Sequence, residues 1–294
     1  RLGQAELLES LGDAYSLAYD LDRGDEYQRR ALEIRRRIGD LPGVLLSLNG
    51  LGLLQIRRHH LAEALPMFEE ALGICFALED EHWAPVLQAN LAEALIGLER
   101  YEDAEALLRS ELPVFRARGD ALSAGNALRL LSAARRGLGD VDQALAAAQG
   151  AVELAVGEGN TLREAYWLLE LGTVRRLGGQ LAAALDSFRR SADLQHGLGH
   201  RVREAQAWDG EGEVQRDLGR LSEAIELHGR AADVFRSLGA RWLLAVALRN
   251  LATALTAAGR NSQAREQASE ALSLLAEFPD PAAEQAKAML RALI

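Results

Sequence analysis

Apolar side chains recur along this chain at helical spacing. Leu61, Leu65, Phe68, Leu72 and Phe76 fall three or four residues apart, which lines one face of an α-helix. No segment alternates apolar and polar residues with the period of two that a half-buried strand needs. The pattern also repeats at longer range. From Leu11-Gly12, steps of 40 residues reach Leu51-Gly52, Leu91-Ala92, Leu131-Ser132, Leu171-Gly172, Glu211-Gly212 and Leu251-Ala252. A second small-residue column runs Gly24, Ala64, Ala104, Ala144, Ala184, Ala224, Ala264. A third runs Ala31, Ala71, Glu111, Ala151, Ser191, Ala231, Ala271. All three keep register without an insertion, so the chain is a repeat array. Small side chains let helices approach more closely than the usual 8–10 Å between axes.

Each unit carries two sets of helix punctuation. Gly139-Asp140, Gly179-Gln180, Gly219-Arg220 and Gly259-Arg260 fall in mid-repeat, and Gly39-Asp40, Gly119-Asp120 and Gly159-Asn160 end repeats. Glycine accepts the left-handed conformation that stops a helix, and the Asp or Asn after it caps the next one. Each repeat therefore predicts two antiparallel helices, at roughly positions 4–18 and 22–38 of its 40 residues. The expected repeats are 1–40, 41–80, 81–120, 121–160, 161–200, 201–240 and 241–280. After them, Asp280 reads as an N-cap and Pro281 as a first-turn residue, opening a helix over 282–294. That helix is expected to cover the apolar end of the stack, as a solenoid requires.

These columns resemble the tetratricopeptide repeat, in which a bulky residue, Leu-Gly, an aromatic, and later Ala, Phe and Ala stand at fixed offsets. Here the Leu-Gly and Ala columns match, and the late aromatic survives as Phe68 and Phe188. The early bulky place holds Trp208, with Leu8, Leu48, Leu128, Leu168 and Leu248 elsewhere. The aromatic after Leu-Gly is matched at Tyr15, and Glu211 replaces a Leu. The 40-residue period resembles the longer variety found in the arms of bacterial STAND-type and antibiotic-regulatory transcription regulators, in Rap-type peptide sensors and in animal polarity adaptors. The resemblance implies an all-α, right-handed superhelical solenoid of seven antiparallel helix pairs plus a C-terminal capping helix. It also implies a protein- or peptide-interaction module, serving as the regulatory or sensor arm of a larger regulator. The alternative is a small-molecule or pheromone-peptide sensor that encloses its ligand in the superhelix.

Composition narrows the chemistry. Of 294 residues 26% are charged, and the net charge is −10, which disfavours direct nucleic-acid binding. The basic residues are arginines apart from Lys287, a bias that hints at a GC-rich bacterial genome. No apolar run approaches the roughly 18 residues of a membrane span and no signal segment opens the sequence, so a cytoplasmic location is expected. Residue 1 is Arg and the methionines are Met67 and Met289, so the sequence reads as a segment of a longer chain. The single Cys75 excludes an internal disulfide and reads as a small core residue. No metal site is expected, because His59-His60 are adjacent and a Gly-Leu-Gly helix end separates His196 from His200. There is no phosphate loop, HExxH or nucleophile elbow, so no cofactor and no enzymatic activity are expected.

The resemblance places positions 6, 9, 13, 16 and 17 of each repeat on the concave face. Position 16 holds Arg136, Arg176 and Arg216 in succession, with Ile56 and Ile96 earlier. Position 9 adds Asn49, Arg129 and Arg249. These residues and Glu213 are the candidate contacts. Arginine forks bind carboxylates, so an acidic peptide or acidic domain surface, including an upstream domain of the same chain, would fit. Equally, the arginines could be solvated or pair with Glu213, Asp217 and Glu93 on neighbouring helices. Trp83, Trp167 and Trp242, near the starts of first helices, are expected to fill gaps between repeats or, if exposed, to mark a contact patch.

Overall fold

The computed structural model describes residues 2–293. Among them there are fifteen α-helices and no strand. Two compact units form, Arg1–Glu111 and Leu112–Ile294. The first contains α1 (Leu2–Leu17), α2 (Leu21–Ile38), α3 (Leu41–Arg58), α4 (Leu61–Ala77) and α5 (Trp83–Gly97). Helix α6 (Tyr101–Ala117) crosses from one unit's sequence into the other's. The second unit continues with α7 (Ala121–Gly137), α8 (Val141–Gly157), α9 (Thr161–Leu177), α10 (Leu181–Gly197), α11 (Arg201–Asp217), α12 (Leu221–Ser237), α13 (Arg241–Ala257), α14 (Asn261–Leu275) and α15 (Pro281–Arg291).

The expected positions 4–18 for the first helices need correction, because most begin about three residues earlier. The capping side chains decide this. Asp40, Asp120 and Asn160 accept from the amides of Gly43, Ser123 and Arg163 at 3.1, 2.9 and 3.1 Å, so the helix begins at the very next residue. Asp140 does the same for α8 through Gln143 at 3.1 Å. Helix α5 starts later, at Trp83, because Asp80 accepts from the amides of both His82 and Trp83. The terminal helix covers Pro281–Arg291 rather than 282–294, and Ile294 lies outside the described residues. Asp280 stands at its N-cap, but the side chain makes no bond to the first-turn amides.

The punctuating glycines behave as their sequence predicts: Gly39, Gly119, Gly139, Gly159, Gly179, Gly219 and Gly259 all take φ between 63° and 82°. Tyr19, His59, Glu79 and Glu99 hold the equivalent place with φ of 53–64°, despite a Cβ.

Packing follows the small-residue columns. Within each unit consecutive helices pack in sequence, and α15 lies on α14 and α13. First helices also touch one another, α7 on α9, α9 on α11 and α11 on α13. Successive second helices of that unit stay further apart, so its first helices form the tighter, inner layer. The small columns lie where helices meet: Ala92, Ser132 and Ala252 are fully buried, as are Ala64, Ala144, Ala184 and Ala224. The bulky column Leu8, Leu48, Leu128, Leu168 and Leu248 is buried too. Cys75 is a core residue beside Phe68 and Leu72; its Sγ donates to the Asp80 carbonyl at 3.0 Å, and burial pushes the thiol pKa up.

Candidate functional site

In the second unit the inner layer consists of α7, α9, α11 and α13, and the expected arginine column runs across it. Two of the three position-16 arginines reach for the first helix of the following repeat. Arg136 on α7 donates to both carboxylate oxygens of Glu170 on α9, at 3.0 and 3.3 Å. Arg176 on α9 donates to Glu213 at 3.1 Å and Asp217 at 2.9 Å, both on α11. Arg216 turns to its neighbour Asp217 at 3.4 Å. The pairing with Glu213 and Asp217, one of the two alternatives open from the sequence, is thus what Arg176 adopts here. Arg175 points away from this layer, towards Ser187 on α10 at 2.8 Å.

The position-9 residues are placed differently. Asn49, in the first unit, is buried and accepts from Asn90 Nδ2 at 2.8 Å. Arg249 donates to Asn250 Oδ1 at 3.0 Å. Asn250 in turn donates to Asp209 Oδ2 at 2.9 Å, and Asp209 Oδ1 lies 2.6 Å from Nδ1 of His228. A carboxylate only accepts, so Nδ1 of this fully buried histidine carries the proton. Its Nε2 is buried without a partner. Arg129 is buried, with its guanidinium carbon 4.8 Å from the centre of the Tyr166 ring. The guanidinium carbon of Arg203 lies 3.8 Å from the centre of the same ring.

These groups surround a cavity of about 270 Å³ in the inner layer. Leu169, Phe188, Phe235, Leu243 and Val246 supply its apolar wall. Arg129, Tyr166, Arg203, Glu170, Asp209 and Glu213 supply its polar groups. Of the seven candidate residues, Arg129 and Glu213 therefore line the cavity. Arg136 and Arg176 hold two of its carboxylates, while Asn49 lies in the other unit. Sequence reasoning did not single out Tyr166, Asp209 or Arg203. Tyr166 and Asp209 stand at positions 6 and 9, so the register already pointed inward for them. Arg203 stands at position 3, one turn before the expected set, where a long side chain still reaches the same face.

The tryptophans are gap fillers here. Trp167 is fully buried against Gly125 of the preceding first helix. Trp83 packs on the first-unit core, and Trp242 meets Phe278 edge-on at 5.3 Å. Among the described residues no three His, Cys, Asp or Glu side chains converge as metal ligands would. No helix there is long and apolar enough to cross a membrane.

The tetratricopeptide repeat model matches residues 3–75 and 203–277, half of the chain. The chain belongs to the tetratricopeptide repeat family. No curated protein sequence matches it. Among solved structures, this tetratricopeptide array is similar to the apo form of RapI, with a TM-score of 0.67 and 14% identity over 92% of this chain and 97% of that one. It is also similar to a STAND signal-transduction ATPase with a tetratricopeptide repeat sensor from Pyrococcus horikoshii. There the TM-score is 0.64 and the identity 17%, over 99% of this chain and 44% of that one. NprR in complex with its cognate peptide NprX gives a TM-score of 0.62 and 17% identity, over 82% of this chain and 72% of that one. At these identities the likeness concerns the helical-repeat solenoid fold.

Proposed function

We propose that this tetratricopeptide array is a peptide- or protein-recognition module, with its ligand seated in the inner layer of the second unit. The carrying observation is the cavity among α9, α11 and α13, which combines an apolar wall with convergent, oriented polar groups. The ion pairs from Arg136 and Arg176 keep successive first helices in fixed register, so the groups around the cavity are presented by a rigid surface. Similarity to a STAND sensor and to the peptide-bound NprR supports a place as the regulatory arm of a larger bacterial signalling or transcription regulator. Its role is binding rather than catalysis, and its location is cytoplasmic.

A display library of random short peptides panned on the whole chain tests this. Enriched peptides should compete with one another and should be lost on Val246→Trp, which fills the cavity. Enrichment unaffected by that substitution would move the site elsewhere. The cavity's modest size also supports the second reading, a small-molecule or pheromone-peptide sensor; a co-purifying compound that blocks peptide enrichment would favour it.

A further inference from the structure

We propose that the second unit carries a separate site for a zwitterionic small molecule of the size of a free amino acid. Glu158, at the end of α8, receives the ammonium group, and Arg163, in the first turn of α9, receives the carboxylate. The site stands apart from the inner-layer cavity and does not depend on what that cavity binds.

The first support is a second cavity. A space of about 310 Å³ opens where the start of α7, the end of α8 and the start of α9 meet. Asp120, Leu154, Glu158, Asn160, Arg163 and Trp167 line it. That volume lies at the lower limit of the roughly 300–1,000 Å³ of small-molecule sites, so it suits a molecule of few atoms rather than a polypeptide.

The second support is charge. Glu158 and Arg163 share this cavity, yet among the described residues neither forms an ion pair with the other or with a third group. Burial, and then the charge of Arg129, lower the guanidinium pKa of Arg163 below its ordinary value. A carboxylate beside it would offset both effects. The helix ends add the same polarity, since the C-terminus of α8 favours a cation and the N-terminus of α9 an anion. A molecule with both charges satisfies both walls. A simple anion would meet Glu158 and Asp120, and a simple cation would meet Arg163.

The third support is an orphaned donor. Trp167 is fully buried, and its Nε1 has no hydrogen-bond partner. An indole N–H only donates, so the missing partner is an acceptor. A carboxylate oxygen of a ligand in this cavity supplies one. Gly125 on α7 makes room for the indole, because a Cβ there would collide with Cζ3 and Cη2 of the ring.

The fourth is that these residues are peculiar to one junction. Ile38, Leu78, Leu198 and Leu238 stand at the place of Glu158, and Ala127, Ala207 and Ala247 at the place of Trp167. A role in stacking repeats would recur along the array, and this combination does not.

The test is isothermal titration of the whole chain with each of the common free amino acids. N-acetyl amino acids and amino acid amides are the matched probes that lack one charge. At least one amino acid should bind. Its N-acetyl and amide forms should bind about tenfold or more weakly, as for a lost hydrogen bond to a charged group. Glu158→Gln should bring the amino acid down to the level of its N-acetyl form, and Arg163→Gln to the level of its amide. Trp167→Phe keeps most of the ring's bulk and should weaken binding severalfold. Arg236→Gln, exposed on α12, should change nothing, and thermal melts check that each variant is folded. Failure of every amino acid to bind at millimolar concentration overturns the proposal. So does equal binding of the N-acetyl and amide forms. Binding kept in Glu158→Gln and Arg163→Gln but lost on Val246→Trp would put the amino acid in the inner-layer cavity and overturn it too.

Discussion

A Cβ placed on Gly172 would lie 2.9 Å from the ring of Phe188, so the glycine on α9 and the phenylalanine on α10 are matched in size. The relation recurs at the same two positions. Gly52 faces Phe68, Gly212 faces His228 and Gly12 faces Gln28, each too close for a Cβ. Position 28 is small opposite Ser132 and Ala252, where it holds Ala148 and Ala268, while Ala92 is matched by Leu108. Gly172→Ala should therefore overpack this layer and cost about 1–3 kcal/mol in chemical denaturation. Adding Phe188→Leu should recover part of the loss. Strictly additive losses in the double variant would show that the two sites do not share one space.

The N-cap of α7 is open to a simple check. Asp120→Ala removes the acceptor for the Ser123 amide, and stability should drop by about 1 kcal/mol. Asp120→Asn keeps an acceptor and should lose far less. A loss equal to that of Ala would point to the charge rather than the hydrogen bond.

Glu79 offers the opposite sign. It is exposed and holds φ of 53°, a conformation that glycine adopts at the equivalent place in other turns. Glu79→Gly should stabilise the chain by about 1 kcal/mol, because it removes the Cβ clash. An unchanged or lower melting temperature would mean that the flexibility gained by the unfolded chain outweighs the relief.

His59 makes stability depend on pH. Burial first, and then the neighbouring His60, lower its pKa to about 4 from the ordinary 6.5. The unfolded chain takes up this proton near pH 6.5 and the native chain does not until about 4. The contribution is full above 6.5, declines as pH falls, and is gone near 4, with a size of up to about 3 kcal/mol. Glu9 and Asp13, whose carboxyl pKa values are raised by burial, act in the opposite direction, so the comparison must be between variants. His59→Asn tolerates the positive φ, and it should lose less stability than the wild type between pH 7 and 4.5. Parallel curves would show that His59 is solvated.

Much of the fold was legible because its causes are local. Gly139-Asp140 stops one helix and caps the next within a few residues, and the small columns mark close contacts whatever their neighbours are. The first helices still began earlier than the apolar pattern suggested, because Asp40, Asp120 and Asn160 cap immediately rather than after a loop. The candidate site was legible only as a face. The register sent Arg129, Arg136 and Arg176 inward, but their chemical environment depends on residues far along the chain.

The sequence by itself therefore determined the helices, their pairing and the family, since glycine conformation, capping and 40-residue periodicity act within a repeat or as its copy. The tertiary structure alone decided which charges are neutralised. Arg136 meets Glu170 and Arg176 meets Glu213 across 34 and 37 residues, while among the described residues Arg163 and Arg203 form no ion pair. A difference of one helical turn in the packing of adjacent repeats would reassign every one of these partners. Charge–charge contact depends on a few ångströms in space, a distance that no spacing along the chain encodes.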